Sequence, residues 1–191
     1  MSRLTTVSRH TKETRIELTL SLEGGPVSLD TGIGFFDHML NALAVHAGFG
    51  LQLSAEGDLH VDDHHTVEDA GIVFGQALHK ALGDRTGIAR FGQAKVPMDE
   101  ALADAALDLS GRAYLRYDVP EPQACIGAYD ACLTGEFWRA VCRNAGLTLH
   151  ISAYGHNGHH ITEAVFKACA RALKQAVGVV GGEIPSTKGI L

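Results

Sequence analysis

The sequence has 191 residues, enough for one compact domain or two small halves sharing a core, and its 46% apolar and 20% charged residues exclude a disordered chain. A formal net charge of −6 excludes a general attraction to nucleic acid or anionic membranes, so any basic site has to be a local cluster. Met1-Ser2-Arg3-Leu4-Thr5 opens no apolar leader, and the longest apolar stretch, Met39 to Leu53, is broken by Asn41, His46 and Gln52. The expectation is a cytoplasmic chain with neither a membrane nor a nucleic-acid partner.

Strand-like segments run over Thr14 to Leu22 and Val27 to Thr31, with Gly24-Gly25-Pro26 turning between them. An apolar-periodic helix then closes on Ala47-Gly48, a C-terminal glycine signal. Phe49, Leu51 and Leu53 alternate as a strand. His64-His65-Thr66-Val67-Glu68 opens a second helix, whose stripe carries Val67, Gly71, Phe74, Leu78 and Leu82. The series then repeats. Glu100 to Leu109 and Arg112 to Val119 read as strands around a Ser110-Gly111 turn, a helix closes on Ala145-Gly146, and Leu147, Leu149 and Ile151 alternate. His159-His160-Ile161-Thr162-Glu163 follows 95 positions after its counterpart and opens a helix with Val165, Ala168, Ala172 and Val177 on one stripe.

Each half therefore reads ββαβα, over about 1–92 and 93–191 of a single 1–191 domain. Such halves can bury their helices against each other with a sheet on each outer side. The expected fold is a duplicated α+β domain with its helices packed between two sheets.

Histidine is over-represented, with 11 residues. Residues four apart share a helix face while adjacent ones diverge by about 100°. His64 and Glu68 can thus hold one ion while His65 points elsewhere, and His159 and Glu163 stand likewise against His160. Across a two-fold-like axis each pair could take the odd histidine of the other half, giving His64, Glu68, His160 and His159, Glu163, His65. Counting back ten residues from Gly48 and Gly146 adds His38 and Glu136 in matching places. Such ligands suit a borderline divalent metal such as manganese, iron or zinc better than calcium or magnesium. Asp63 reads as the N-cap of the second helix. His10, His46, His60, His79, His150 and His156 read as core-edge or surface residues. Cys125, Cys132, Cys142 and Cys169 form no C-x-x-C pair and read as reduced, partly buried thiols.

Phe36-Asp37-His38-Met39-Leu40, Asp63-His64-His65-Thr66-Val67-Glu68-Asp69, Asn144-Ala145-Gly146-Leu147-Thr148-Leu149-His150, His159-His160-Ile161-Thr162-Glu163-Ala164 and Pro185-Ser186-Thr187-Lys188-Gly189 closely resemble the imidazoleglycerol-phosphate dehydratase family. The resemblance runs from about Arg9 to the C-terminus. It implies a ribosomal protein S5 domain 2-like duplicated fold and a lyase of histidine biosynthesis. The implied reaction converts D-erythro-imidazole-glycerol phosphate to imidazole-acetol phosphate, with two Mn2+ per active site or other divalent transition metals in their place. It also implies a large homo-oligomer, of about 24 subunits, with active sites at subunit interfaces. The implied ligands are His38, His65, His159 and Glu163 for one ion, and His64, Glu68, His160 and residue 136 for the other. The family commonly carries histidine at that last position; this chain has Glu136.

A phosphorylated imidazole substrate needs cations. The resemblance makes Arg90, Arg112, Lys167, Ser186 and Lys188 its phosphate contacts. It places Glu13, His38, His64, Glu68 and His159 against the rest of the substrate, with Glu13 and Glu163 as catalytic groups. Lys167 also lies four residues beyond Glu163 on the same helix face. The proton to be removed sits on carbon beside the ring, with no carbonyl to absorb charge. Two metals on the ring nitrogens could stabilise an imidazolate. Two other readings of the metal constellation stay open: a two-metal hydrolase, and a metal-storing or metal-sensing oligomer.

Overall fold

The computed structural model describes residues 3–189; the ends of the expected 1–191 domain, residues 1–2 and 190–191, lie outside the described residues. The first half runs β1 (Leu4–His10), β2 (Thr14–Ser21), β3 (Val27–Asp30), α1 (Gly34–Ala47), β4 (Gly50–Gly57) and α2 (His64–Leu82). The second runs β5 (Phe91–Met98), β6 (Ala101–Asp108), β7 (Tyr114–Asp118), a hairpin β8 (Cys125–Ile126) and β9 (Tyr129–Asp130), α3 (Leu133–Ala145), β10 (Thr148–Tyr154) and α4 (Gly158–Ala176). The two main sheets are ordered β1-β2-β4-β3 and β5-β6-β10-β7, and in each the last strand of that order pairs parallel to its neighbour, β3 to β4 and β7 to β10. The duplication is thus a property of the fold.

Each main sheet carries one strand more than the expected ββαβα supplies, β1 and β5, and the second half adds the β8–β9 hairpin. β1 and β5 are sheet edges that bury little. Val7 is the only buried residue of β1, and β5 includes Pro97, which an edge strand tolerates because one side of its backbone makes no ladder bonds. The expected helix ends hold. Gly48 and Gly146 sit at φ 72° and 64°, the left-handed conformation that closes α1 and α3. The α2 start differs in detail. Asp63 occupies the N-cap position without a side-chain cap, and the neighbouring Asp62 carboxylate accepts the His64 N–H at 2.8 Å. Asn157 makes the corresponding bond to His159 N in α4, at 2.9 Å.

The inner faces of the sheets present Ile16, Leu18, Leu20, Leu51 and Leu53 on one side and Ala103, Ala105, Leu107, Leu149 and Ile151 on the other. The helices lie between them, α2 crossing α3 and α1 crossing α4. Phe137 of α3 marks the centre. It meets Phe36 of α1 at 5.4 Å, Phe74 of α2 at 6.3 Å and Phe166 of α4 at 5.5 Å between ring centroids, and is itself fully buried. Truncating such a ring typically costs about 3–5 kcal/mol. The α2–α3 crossing is close because Gly71 has no side chain: a Cβ there would stand 2.7 Å from the Phe137 carbonyl oxygen. Among the described residues no helix is long and apolar enough to cross a membrane. Cys142 and Cys169 are buried, Cys125 and Cys132 exposed, and all four are free thiols.

Candidate active site

Two short-range contacts set the helix starts that carry the histidines. Asp37 Oδ1 accepts from Thr31 N at 3.0 Å and from Thr31 Oγ1 at 2.7 Å, which fixes the first turn of α1 and hence His38. Asp69 of α2 accepts from Thr14 Oγ1 of β2, tying the His64-His65 turn to the first sheet.

The α1–α4 crossing then brings His38 to His159 and Glu163. Nε2 of His38 and of His159 stand 3.5 Å and 3.1 Å from Glu163 Oε2, and their ligand atoms all lie within 4.8 Å of one another. Among the described residues this is the one group of three or more such side chains close enough to share an ion. Two imidazole nitrogens and a carboxylate oxygen converging on one point fit a borderline divalent metal. Lys167 Nζ donates to Glu163 Oε1 at 2.7 Å. Burial would push the Glu163 carboxyl up, but the Lys167 hydrogen bond and charge, with His159 and His38, hold it below the ordinary range. Glu163 is therefore a buried anion ready to ligate. Phe35 packs against both histidines and against the buried Tyr129, at centroid distances of 6.5, 5.2 and 5.2 Å, and forms an apolar floor.

The matching place in the other half is looser. His64 Nε2 stands 4.0 Å from Glu68 Oε2, and both side chains are about half exposed. Glu136, the expected counterpart of His38, is engaged by Arg139 Nε at 3.3 Å.

The second histidine of each motif stands outside these groups. His65 Nδ1 faces Asp58 at 3.0 Å, and His160 Nδ1 faces Glu100 at 2.7 Å. An ionised carboxylate can only accept, so Nδ1 carries a proton in both rings, and in the neutral imidazole Nε2 is the nitrogen with the lone pair. Glu100 also accepts the backbone N–H groups of His156 and Asn157, at 3.1 and 2.8 Å. The His160 hydrogen bond, then these two, depress its carboxyl to about 2. In return Asp58 and Glu100 raise the imidazoles they hold. Neither carboxylate carries a sequence signal as a site residue; only the fold brings Glu100 to His160. Exposed Glu13 sits in the β1–β2 turn, its carbonyl accepting from Asp58 N at 3.1 Å, and its charge adds to the rise at His65.

The cations divide into two places. Lys167 belongs to the His38–His159–Glu163 group. Arg90 is elsewhere: its backbone N donates to Ala176 O, at the far end of α4 from His159. At 1.5 Å per residue that separation is roughly 25 Å. Arg112 joins Arg90 through Asp108, and the segment bearing Ser186 and Lys188 is fastened beside them by Arg90 Nη1 donating to Pro185 O at 2.7 Å. This segment is docked, and the Gly87 N–H to Glu183 O bond at 2.9 Å holds it further.

A model of the family described as imidazoleglycerol-phosphate dehydratase matches residues 31–173, which include both His-His-x-x-Glu motifs. The chain belongs to this family. The dehydratase of Acidiphilium cryptum (strain JF-5) is 56% identical, with all of both chains covered, and that of Methanosarcina mazei is 54% identical over 99% of this chain and all of its own. The crystal structure of the Staphylococcus aureus dehydratase superposes with a TM-score of 0.86 at 39% identity, covering 93% of this chain and 99% of that one. The structure of IGPD from Pyrococcus furiosus gives 0.84 at 35%, covering 97% and 100%. Membership of the imidazoleglycerol-phosphate dehydratase family makes this chain a hydro-lyase of histidine biosynthesis, and its duplicated α+β fold is that of the family's solved structures.

Proposed function

We propose that this chain dehydrates D-erythro-imidazole-glycerol phosphate to imidazole-acetol phosphate at a two-metal site shared between copies of the chain. The convergence of His38, His159 and Glu163, with Lys167 on the same helix face, carries this reading. His38, His159 and Glu163 would hold one divalent ion and His64 and Glu68 a second, Mn2+ by family resemblance, and such ions would supply Lewis acidity to the bound imidazole ring. His65 and His160 complete the two ligand sets, each with Nδ1 held by a carboxylate, and His160 Nε2 would leave Asp99, 3.6 Å away, to bind. Glu136 takes the remaining ligand place on the second ion.

The chain's own residues handle proton, hydroxyl and phosphate. The hydrogen on the ring-bound carbon leaves as a proton and the neighbouring hydroxyl as hydroxide, together one water. The enol left behind tautomerises to the ketone. Glu13, exposed and beside His65, is placed to take the proton or to bind the departing hydroxyl. Lys167 meets the phosphate from the side of the His38 group. A substrate whose ring sits at His159 cannot set its phosphate on Arg90 of the same chain, because Arg90 meets α4 at Ala176, roughly 25 Å along the helix and farther than a three-carbon phosphate ester extends. Arg90, Arg112, Ser186 and Lys188 therefore serve the site of another copy, which supports a homo-oligomer with interfacial active sites in the cytoplasm.

Ketone formation from imidazole-glycerol phosphate, measured with and without manganese, tests the reading. Manganese-dependent ketone formation is expected. A two-metal hydrolase would instead release phosphate, and a metal store would turn over neither; either result overturns the proposal.

A further inference from the structure

Asp108, the last residue of β6, is the partner that Arg90 and Arg112 share. Its Oδ1 accepts from Arg90 Nε at 2.7 Å and its Oδ2 from Arg90 Nη2 at 3.1 Å, while Arg112 Nη2 stands 3.6 Å from Oδ2. Arg90 and Asp108 are mostly buried, with side chains 14% and 17% exposed, whereas Arg112 reaches into solvent. The backbone of Arg90 is pinned on both sides, its N–H to Ala176 O and its carbonyl to Leu109 N–H, and it holds a left-handed φ of 70°. Its third engaged donor, Nη1, reaches Pro185 O. A guanidinium has five N–H donors in a planar fork, so two remain for an incoming ligand.

We propose that Asp108 is a positioning residue for phosphate recognition: it orients the Arg90 fork and, through the Arg90–Pro185 contact, seats the segment bearing Ser186 and Lys188. This rests on the reading of Arg90, Arg112, Ser186 and Lys188 as phosphate contacts. A preset group binds better than the same side chains ordered at the moment of binding, because their conformational freedom is already lost. The competing role for Asp108 is charge neutralisation between two arginines. The two roles differ in sign. Removing a mere neutralising anion strengthens the attraction of the cluster for phosphate; removing a positioning group weakens it.

The experiment uses the manganese-loaded, assembled enzyme. Asp108→Asn keeps the size of the side chain and leaves the β6 backbone pairing to Phe91 and Thr148 intact. We expect KM for the phosphorylated substrate and Ki for inorganic phosphate both to rise about tenfold, the loss of one charge-assisted contact, with kcat changed little. Hydrogen exchange at the Gly87 amide, which bonds Glu183 O, should quicken. In the Arg90→Ala background the Asp108→Asn change should add nothing further, because the effect passes through Arg90. Arg90→Lys, which keeps the charge but cannot grip Asp108 with two donors, should reproduce the KM and Ki rise and serves if Asp108→Asn does not assemble. Unchanged or tighter phosphate binding in Asp108→Asn or Arg90→Lys, while Arg90→Ala weakens it, overturns the positioning role alone. An Arg90→Ala enzyme with normal KM and Ki overturns the phosphate reading itself and the proposal with it.

Discussion

Glu100 holds His160 by a 2.7 Å hydrogen bond to Nδ1, from a turn 60 positions earlier in the chain, and Asp58 holds His65 in the same way at 3.0 Å. The two halves thus reach the same arrangement from different loops. A carboxylate on the far nitrogen fixes the tautomer and orientation of a metal-binding imidazole, and its loss typically costs 10- to 100-fold in affinity, roughly. Glu100→Ala should therefore weaken manganese binding by about that factor in a calorimetric titration, and Asp58→Ala should do likewise. Affinities equal to the unaltered protein would leave these carboxylates as loop fasteners only.

The difference between what could and could not be read from the sequence follows the range of each contact. His64–Glu68 and His159–Glu163 are legible because a four-residue spacing is local to a helix, and the repeat states it twice. β2, β4, β6 and β10 are legible because one face of each is buried, and the edges β3 and β7 because a glycine turn precedes each, whereas the edges β1 and β5 bury one residue apiece. The hairpin β8–β9 has two-residue strands and so shows no period at all. The Asp108–Arg90–Pro185 chain joins positions up to 95 residues apart, which no local pattern can reveal.

His65 and His159 are assigned to one ion, yet the fold keeps them apart, His65 tied to Asp58 and His159 beside Glu163. If they come from different copies, His65→Ala and His159→Ala proteins should each be inactive alone and active when co-assembled. Random pairing would restore about a quarter of the sites, since each needs one intact residue from each of two chains. Activity that stays at the single-variant level after mixing would place both histidines on one chain.

Truncation after Gly182 removes the Glu183 and Pro185 carbonyls that dock the tail, together with Ser186 and Lys188. The lost segment is half-buried at most, so the melting temperature should hardly move. KM should rise roughly tenfold or more, the equivalent of one charge-assisted hydrogen bond worth about 1.5–3 kcal/mol. A normal KM would mean that the docked tail never meets substrate.

Chelation should shrink the particle as well as silence it. Ligands drawn from more than one copy make the ions cross-links, and metal that binds only the assembled form stabilises that form by mass action. Light scattering before and after metal removal reads this directly. A particle of unaltered size would show interfaces held by packing alone.

Glu136 stands where the repeat requires a counterpart to His38, ten residues before Gly146 as His38 is before Gly48. In the first-turn position it occupies, two roles compete. As a structural residue it pairs with Arg139 at 3.3 Å and lies at the N-terminal end of α3, where a carboxylate gains about 0.3–1 kcal/mol from the helix dipole. As a ligand it would leave Arg139 for an ion held by His64, Glu68 and His160, and make that site one charge more negative than histidine would. The cost of leaving is small, because a three-apart helix pair is worth only about 0.2–0.5 kcal/mol and this one is half-exposed. Glu136→Ala should therefore lower metal content by up to one ion per chain and cut turnover severely. Glu136→His should restore both, with a metal preference moved toward softer ions, as metal analysis and the ketone assay would read. Full metal content and near-normal turnover in Glu136→Ala would leave only the dipole role and remove one protein ligand from that ion.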